Sequence, residues 1–174
     1  MYYLWHWYIS LLLFLKEVDM FHNIDSLSEK EKEILFNKID PTFFKEGHTL
    51  LYLVRFGSHL YGTNSPTSDL DLKGLFLPSK KSCLLNSAPK HLNFSTGNNE
   101  SKNSSDDVDV QLWSLQYFMR LLSKGETNAI DLLYSYTYPE MVISQWVGLD
   151  VLFNNHYKTF SAKDCNSYCG YAVG

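Results

Sequence analysis

Two short apolar runs, and what lies between them, constrain this chain most. "TLLYLVRF" (49–56) is so dense in Leu, Val and aromatic residues that it reads as a buried strand. "LDLKGLFL" (70–77) alternates at first and then turns apolar, giving a second strand. The stretch between them is polar and rich in turn formers. It opens on Gly57 and Ser58, where the first strand stops, and closes on Asp69 and Asp71. Residues i and i+2 of a strand face the same way, roughly 6.5–7 Å apart, so these two carboxylates point at one spot.

Paired carboxylates on a strand suit divalent cations. The two metal ions of phosphoryl-transfer enzymes sit about 3.5–4 Å apart, within the span of a D-x-D strand. Magnesium, or manganese in its place, takes oxygen ligands and keeps waters that substrate phosphates can replace. Glycine at 57 allows close backbone approach. If Ser58 begins a helical turn, its amide and hydroxyl face a phosphate. Lys73 falls on the same strand face if the strand stays regular, where it would offset carboxylate charge or touch a phosphate. A D-x-D alone is more often a solvated strand face, and Gly-Ser after a strand is more often a plain turn. A calcium loop fails, because Lys73 and Lys80 would fall where oxygen ligands are required.

A third carboxylate stands downstream in "DVDVQLW", which reads as a strand over 108–113. Asp109 would join the pair if that strand lies beside 70–77, and Asp107 shares its face and competes for the role. Elsewhere, "SLSEKEKEILFNKI" carries a capping-box spacing at Ser28 and Glu31 and reads as a helix. Residues 86–106, rich in Asn, Ser, Lys and Gly, read as a long loop. Ser114 caps a helix over "LQYFMRLLSK" that stops at Gly125, and "NAIDLLYSY" is a short helix. Pro139 suits the first turn of a helix over "PEMVISQWVGLDVLFNN", and Ser161 opens a last one. Helix, strands with carboxylates, then helices gives an α+β fold: a small mixed β-sheet with flanking helices.

Composition narrows the partners. The net charge is −4 and the arginines are Arg55 and Arg120, which argues against an extended nucleic-acid surface. Three cysteines, Cys83, Cys165 and Cys169, make no even disulfide framework, and a reducing compartment, the cytoplasm, is the simpler reading. "YYLWHWYISLLLFL" near the N-terminus holds no charge. A membrane span needs about twenty apolar residues, and a signal peptide needs a basic start that is missing here. The run reads as a packed or interfacial segment, with an export or membrane signal, or an extension foreign to the functional fold, as the alternatives. The expected organisation is an apolar extension over 1–20 and one functional domain over 21–174.

"GSHLYGTNSPTSDLDLKG" resembles the Gly-Ser … Asp-x-Asp signature of the DNA polymerase β-type nucleotidyltransferase superfamily. "DVDVQLWSLQYFMRLLSKGETNAIDLLYS" and "FSAKDCNSYCGYA" extend the likeness, over roughly residues 48–172, to the branch that includes RNA-repair-associated polymerase-β-like proteins. The resemblance implies that Gly57 and Ser58 bind phosphate, that Asp69, Asp71 and Asp109 are catalytic metal ligands, and that Lys124, Asn128 and Asp131 form a downstream motif in which Lys124, like Lys73, contacts nucleotide. The chain departs from that pattern at His59 and at Glu126–Thr127, positions that bear on the acceptor. Relatives continue with further helices past "GYA", so the domain is expected to stop short of theirs. The implied activity is Mg2+- or Mn2+-dependent transfer of a nucleoside monophosphate from a triphosphate such as ATP to a hydroxyl, with release of pyrophosphate. The acceptor, whether an RNA end, a protein or a small molecule, stays open. The alternative is a truncated pseudoenzyme, or a nucleotide-binding protein that acts through a partner.

Overall fold

The computed structural model describes residues 43–95 and 108–154, together with Glu29 and Ile39. Five strands form one sheet: β1 (Thr49–Arg55), β2 (Leu70–Leu77), β3 (His91–Ser95), β4 (Val108–Ser114) and β5 (Val142–Gln145). Their spatial order is β3-β4-β2-β1-β5. β2 and β4 run parallel, and the other pairs are antiparallel. The helices are α1 (Gly57–Leu60), α2 (Lys80–Leu84), α3 (Leu115–Leu122), α4 (Thr127–Tyr134) and α5 (Asp150–Asn154). The sheet is mixed and helices flank it, as the α+β reading expects.

Both faces of the sheet are covered, which is why its central strands are apolar on both sides. On one face Tyr52, Val54, Leu75 and Trp113 pack with Phe118, Leu122, Ile130 and Leu133 of α3 and α4. On the other, Leu50, Leu53, Leu72, Phe76, Val110 and Leu112 pack with Ile39, Phe43 and Ile143. Phe118 and Leu122 are one helical turn apart, so α3 buries a single stripe. Truncating a fully buried phenylalanine such as Phe118 to alanine costs about 3–5 kcal/mol. Tyr52 is buried as well, and its phenol hydrogen-bonds the Ser135 hydroxyl at 2.8 Å. Burial pushes that phenol well above the ordinary tyrosine range, against the smaller opposing effect of the hydrogen bond.

The ends of the elements follow local chemistry. The Ser114 hydroxyl accepts from the Tyr117 amide at 3.3 Å, capping α3. Gly125, at φ +71°, ends the turn that follows α3. A buried imidazole links β1 to the exit of β2: His48 Nδ1 accepts from the Ser79 amide at 3.0 Å, and its Nε2 lies 3.1 Å from Glu46 Oε2.

Two sequence expectations need correction, and one element was not expected. Residues 139–145 are not helical. Pro139 and Glu140 form a turn, and Val142–Gln145 pairs with β1 as an edge strand, the β-branched Val142 and Ile143 packing into opposite faces of the sheet. Helix resumes only at Asp150, after a 3-10 turn over Val147–Leu149. The stretch 86–95 is not all loop, since β3 emerges at His91 and pairs with β4. Lys80–Leu84, unassigned from sequence, is a helix capped by Ser79, whose hydroxyl accepts from the Ser82 amide at 3.2 Å. The apolar run 1–20, the segment around Cys165 and Cys169, Asp107, and most of the helix expected from Ser28 lie outside the described residues. Among the described residues, no helix is long and apolar enough to cross a membrane.

Candidate active site

The parallel register of β2 and β4 sets Asp71 directly opposite Asp109, Lys73 opposite Gln111, and Leu75 opposite Trp113. Neighbouring strands lie about 4.8 Å apart, so each of these pairs shares one face as side-by-side neighbours. The face changes character along its length. Leu75 and Trp113 sit under α3 and α4, while Asp71 and Asp109, at the strand starts, line an open cleft of about 630 Å³. Asp69 falls one residue ahead of β2 and is not among the cleft-lining residues. Asp71 and Asp109 thus pair across two strands, and Asp69, just ahead of β2, is near enough for its charge to act on Asp71.

Gly57 closes the cleft on the other side. Its φ is +58°, a region that disfavours side-chain-bearing residues, and a Cβ placed there would collide with Asp71 Oδ2. The backbone is fixed in this approach by the Phe56 amide, which donates to the Asp71 carbonyl at 2.8 Å. Ser58 does begin a helical turn, within the single turn of α1. Its hydroxyl is buried, with no hydrogen-bond partner among the described residues. An unpaired buried hydroxyl costs about 1–3 kcal/mol.

The electrostatics are frustrated. Desolvation raises the Asp71 carboxyl above the usual range, the charges of Asp69 and Asp109 raise it further, and Lys73 and His59 oppose them. The Lys73 ammonium lies 4.1 Å from the Phe56 ring centroid and 4.8 Å from that of Trp113. Burial between these rings lowers its pKa to about 8, against the pull of Asp71 and Asp131. One partly buried lysine therefore faces more negative charge than it can neutralise.

The downstream motif divides. Asn128 lines the cleft. Asp131, one turn further along α4, accepts a 2.6 Å hydrogen bond from the Tyr61 hydroxyl and so ties the segment after α1 to α4. Lys124 is exposed in the turn after α3 and is not among the cleft-lining residues. The structure thus brings together Gly57, Asp71, Lys73, Asp109 and Asn128 in one lining, and leaves Ser58, Asp69, Lys124 and Asp131 out of it. Sequence reasoning missed Phe56, Tyr61 and Gln111, along with Asn93, Phe94 and Ser95 of β3. The signal for β3 was the alternation in "HLNFS", half-buried at Leu92 and Phe94 and exposed between, which the surrounding Asn and Ser residues masked.

The donor set fits a hard divalent cation. Carboxylate oxygens are what Mg2+ and Mn2+ take, and the repulsion gathered on Asp71 is relieved by positive charge. Among the described residues, no three His, Cys, Asp or Glu side chains form a group that could hold a metal ion, so Asp69, Asp71 and Asp109 do not stand together as the expected set of three ligands.

A mixed sheet with flanking helices, aspartates paired across adjacent parallel strands and Gly57 against one of them is consistent with a polymerase-β-like α+β domain. The chain belongs to the RNA repair pathway DNA polymerase beta family, whose family model matches residues 32–173. It is also similar to an uncharacterized 38.9 kDa protein in the nrdC-mobD intergenic region of Enterobacteria phage T4, with 38% identity over 117 residues. That match covers 67% of this chain and 34% of the phage protein, so the chain spans about a third of its relative's length. No solved structure matches the chain.

Proposed function

We propose that the protein is a metal-dependent nucleotidyltransferase that moves a nucleoside monophosphate from a triphosphate such as ATP to an acceptor hydroxyl. The observation that carries this reading is the register pair Asp71–Asp109 at the open end of two parallel strands, with Gly57 against Asp71. Asp71 and Asp109, with Asp69 beside them, would hold the cation. Bound there, Mg2+ or Mn2+ supplies positive charge to the triphosphate and lowers the pKa of the acceptor hydroxyl.

The chain's own groups do the rest. The backbone at Gly57 lets the triphosphate come close, and the orphaned Ser58 hydroxyl donates to a phosphate oxygen. Lys73 offsets the carboxylate charge, and Asn128 contributes an amide to the cleft wall. The acceptor oxygen attacks the α-phosphorus, the bond to the β-phosphate's bridging oxygen breaks, and pyrophosphate leaves. The acceptor's proton passes to a carboxylate oxygen of Asp109, the more exposed of the pair. We place the protein in the cytoplasm, where exposed Cys83 would stay reduced.

The test is transfer of label from α-labelled nucleoside triphosphates, with Mg2+ or Mn2+, to RNA, protein and small molecules of a cell lysate, with pyrophosphate release measured alongside. Label transfer that Asp71→Asn abolishes supports the reading. Tight, metal-dependent triphosphate binding with no transfer to any fraction would favour a nucleotide-binding protein that acts through a partner. Absence of triphosphate binding would overturn both.

A further inference from the structure

The turn that carries Gly57 and Ser58 has little of its own to hold it. α1 is four residues long, buries none of them, and starts at Phe56 without a side-chain capping bond. A helix this short does not sustain itself, because nucleation fixes several residues for one hydrogen bond. Residues 61–67 that follow are all exposed, so the chain beyond α1 gains no burial that would fix the turn from behind.

Tyr61 supplies the tie. Its amide donates to the Gly57 carbonyl at 3.2 Å, and its ring meets the Phe56 ring edge-on at 6.3 Å. Its hydroxyl donates to Asp131 Oδ2 at 2.6 Å, a short bond to a charged acceptor. Asp131 is a firm anchor, because α4 buries Ala129, Ile130, Leu132 and Leu133 on either side of it in sequence. The bond therefore joins a weakly held turn to a packed helix. Both elements reach the cleft, α1 through Gly57 and α4 through Asn128.

We propose that Tyr61 and Asp131 are a positioning pair for the triphosphate: their bond holds α1 against α4, and so keeps Gly57 on Asp71 and the Ser58 hydroxyl in place for a phosphate. The proposal rests on the nucleotidyltransferase reading of the cleft. The pair acts through the turn and neither carries a proton nor binds the cation. Without the bond the turn fluctuates, and a triphosphate must order it on binding, which weakens affinity. Charge alone gives the opposite sign, since removing a carboxylate near a triphosphate relieves repulsion and strengthens binding.

The test uses the full chain with ATP and Mn2+, and reads calorimetry, melting and steady-state kinetics. Tyr61→Phe and Asp131→Ala should each weaken ATP binding about five- to tenfold, the scale of one partly exposed hydrogen bond to a charged group. The double variant should lose no more than either single one. Asp131→Asn has lost the charge but keeps an oxygen for the phenol, so it should bind ATP better than Asp131→Ala. The KM for ATP should rise in Tyr61→Phe while kcat stays within about twofold. Amide exchange at residues 61 and 63 should quicken in the same variant, since the Thr63 amide donates to the Ser58 carbonyl. Ser135→Ala is the control: it removes a hydroxyl bond to Tyr52 in the core, and should lower the melting temperature with ATP affinity unchanged. Unchanged ATP affinity in Tyr61→Phe and Asp131→Ala, additive losses in the double variant, or Asp131→Asn no better than Asp131→Ala overturns the proposal and leaves the nucleotidyltransferase reading standing. A loss of kcat at unchanged KM overturns it as well, by moving the pair into the chemical step. If the wild type does not bind ATP, the underlying reading fails and the proposal fails with it.

Discussion

Gly57 sits so close to Asp71 that the smallest possible side chain at 57 would displace the carboxylate oxygen facing it. Two demands meet at this residue, a positive φ of +58° and contact with a charged group. Gly57→Ala should cost on the order of 1 kcal/mol in stability from the backbone alone. It should cost more in function, because Asp71 must rotate out of place. The expected result is a folded protein whose melting temperature drops modestly and whose triphosphate affinity falls at least about tenfold, a difference of 1.4 kcal/mol. Melting curves and calorimetry on the same sample check it; a stability loss with intact affinity would mean the contact has no part in binding.

The register pair acts as one unit. Asp71→Asn and Asp109→Asn should each slow transfer by at least about a hundredfold, the scale of losing one group that stabilises transition-state charge. The double variant should lose little more, since groups serving one centre are not additive. Single-turnover rates for the three proteins decide this. Multiplicative losses would show two separate sites.

Metal removal should abolish triphosphate binding. The cleft brings Asp71 and Asp109 together with Asp69 in electrostatic reach, and a triphosphate adds further negative charge. Calorimetry with ATP should show binding with Mg2+ or Mn2+ and none after chelation. Equal affinity in both states would refute the metal requirement.

Asp71 should weaken the metal-free fold at neutral pH. Its carboxyl is raised in the fold by burial and by Asp69 and Asp109. A raised carboxyl contributes stability below the ordinary aspartate range, about pH 3.9, and loses it as pH climbs through the folded value. Asp71→Asn should therefore melt higher than the wild type at pH 7 without metal, and the advantage should shrink toward pH 4. A lower melting temperature at pH 7 would show that the ionised carboxylate is stabilised by contacts stronger than the repulsion.

Lys73 sets the opposite slope at alkaline pH. Its folded pKa is about 8, below the unfolded value of about 10.4. Between those limits the unfolded chain holds a proton that the folded protein has released, so stability rises with pH across that window. The wild type should show this rise in denaturant melts, and Lys73→Met should flatten it. An unchanged slope in the variant would assign the rise to another group.

Legibility in the sequence tracked locality. β2 and α3 were readable because their signals are contained in their own residues: the alternation and apolar run of 70–77, and the Ser114 cap with Phe118 and Leu122 one turn apart. β5 was misread because Val142 and Ile143 suit a buried helix or a strand equally, and only the free edge of β1 decides between them. β3 was hidden inside a polar stretch because it is itself an edge, half-exposed along its length. The three aspartates were visible as residue types, yet the pairing of Asp71 with Asp109 depends on which strands are neighbours. Lys124 was carried in by resemblance to a motif; it is exposed in the turn after α3, and Asn128 is the member of that motif that lines the cleft.

Because β2 and β4 are parallel, the chain must run back between Leu77 and Val108, and β3, antiparallel to β4 at the sheet's edge, lies on that return. A parallel pair of this kind closes a long loop before its contacts repay the lost chain entropy, so it forms late relative to the antiparallel β1–β2 ladder. Asp71 is in place when that ladder forms, and Asp109 arrives only with β4. On the ribosome, a nascent chain that has made β1, α1 and β2 carries the Gly-Ser turn and one carboxylate but not the pair. Under the proposed function, competence then switches on with a single long-range docking event, and a misfolded form that keeps the β1–β2 hairpin would be silent rather than partly active.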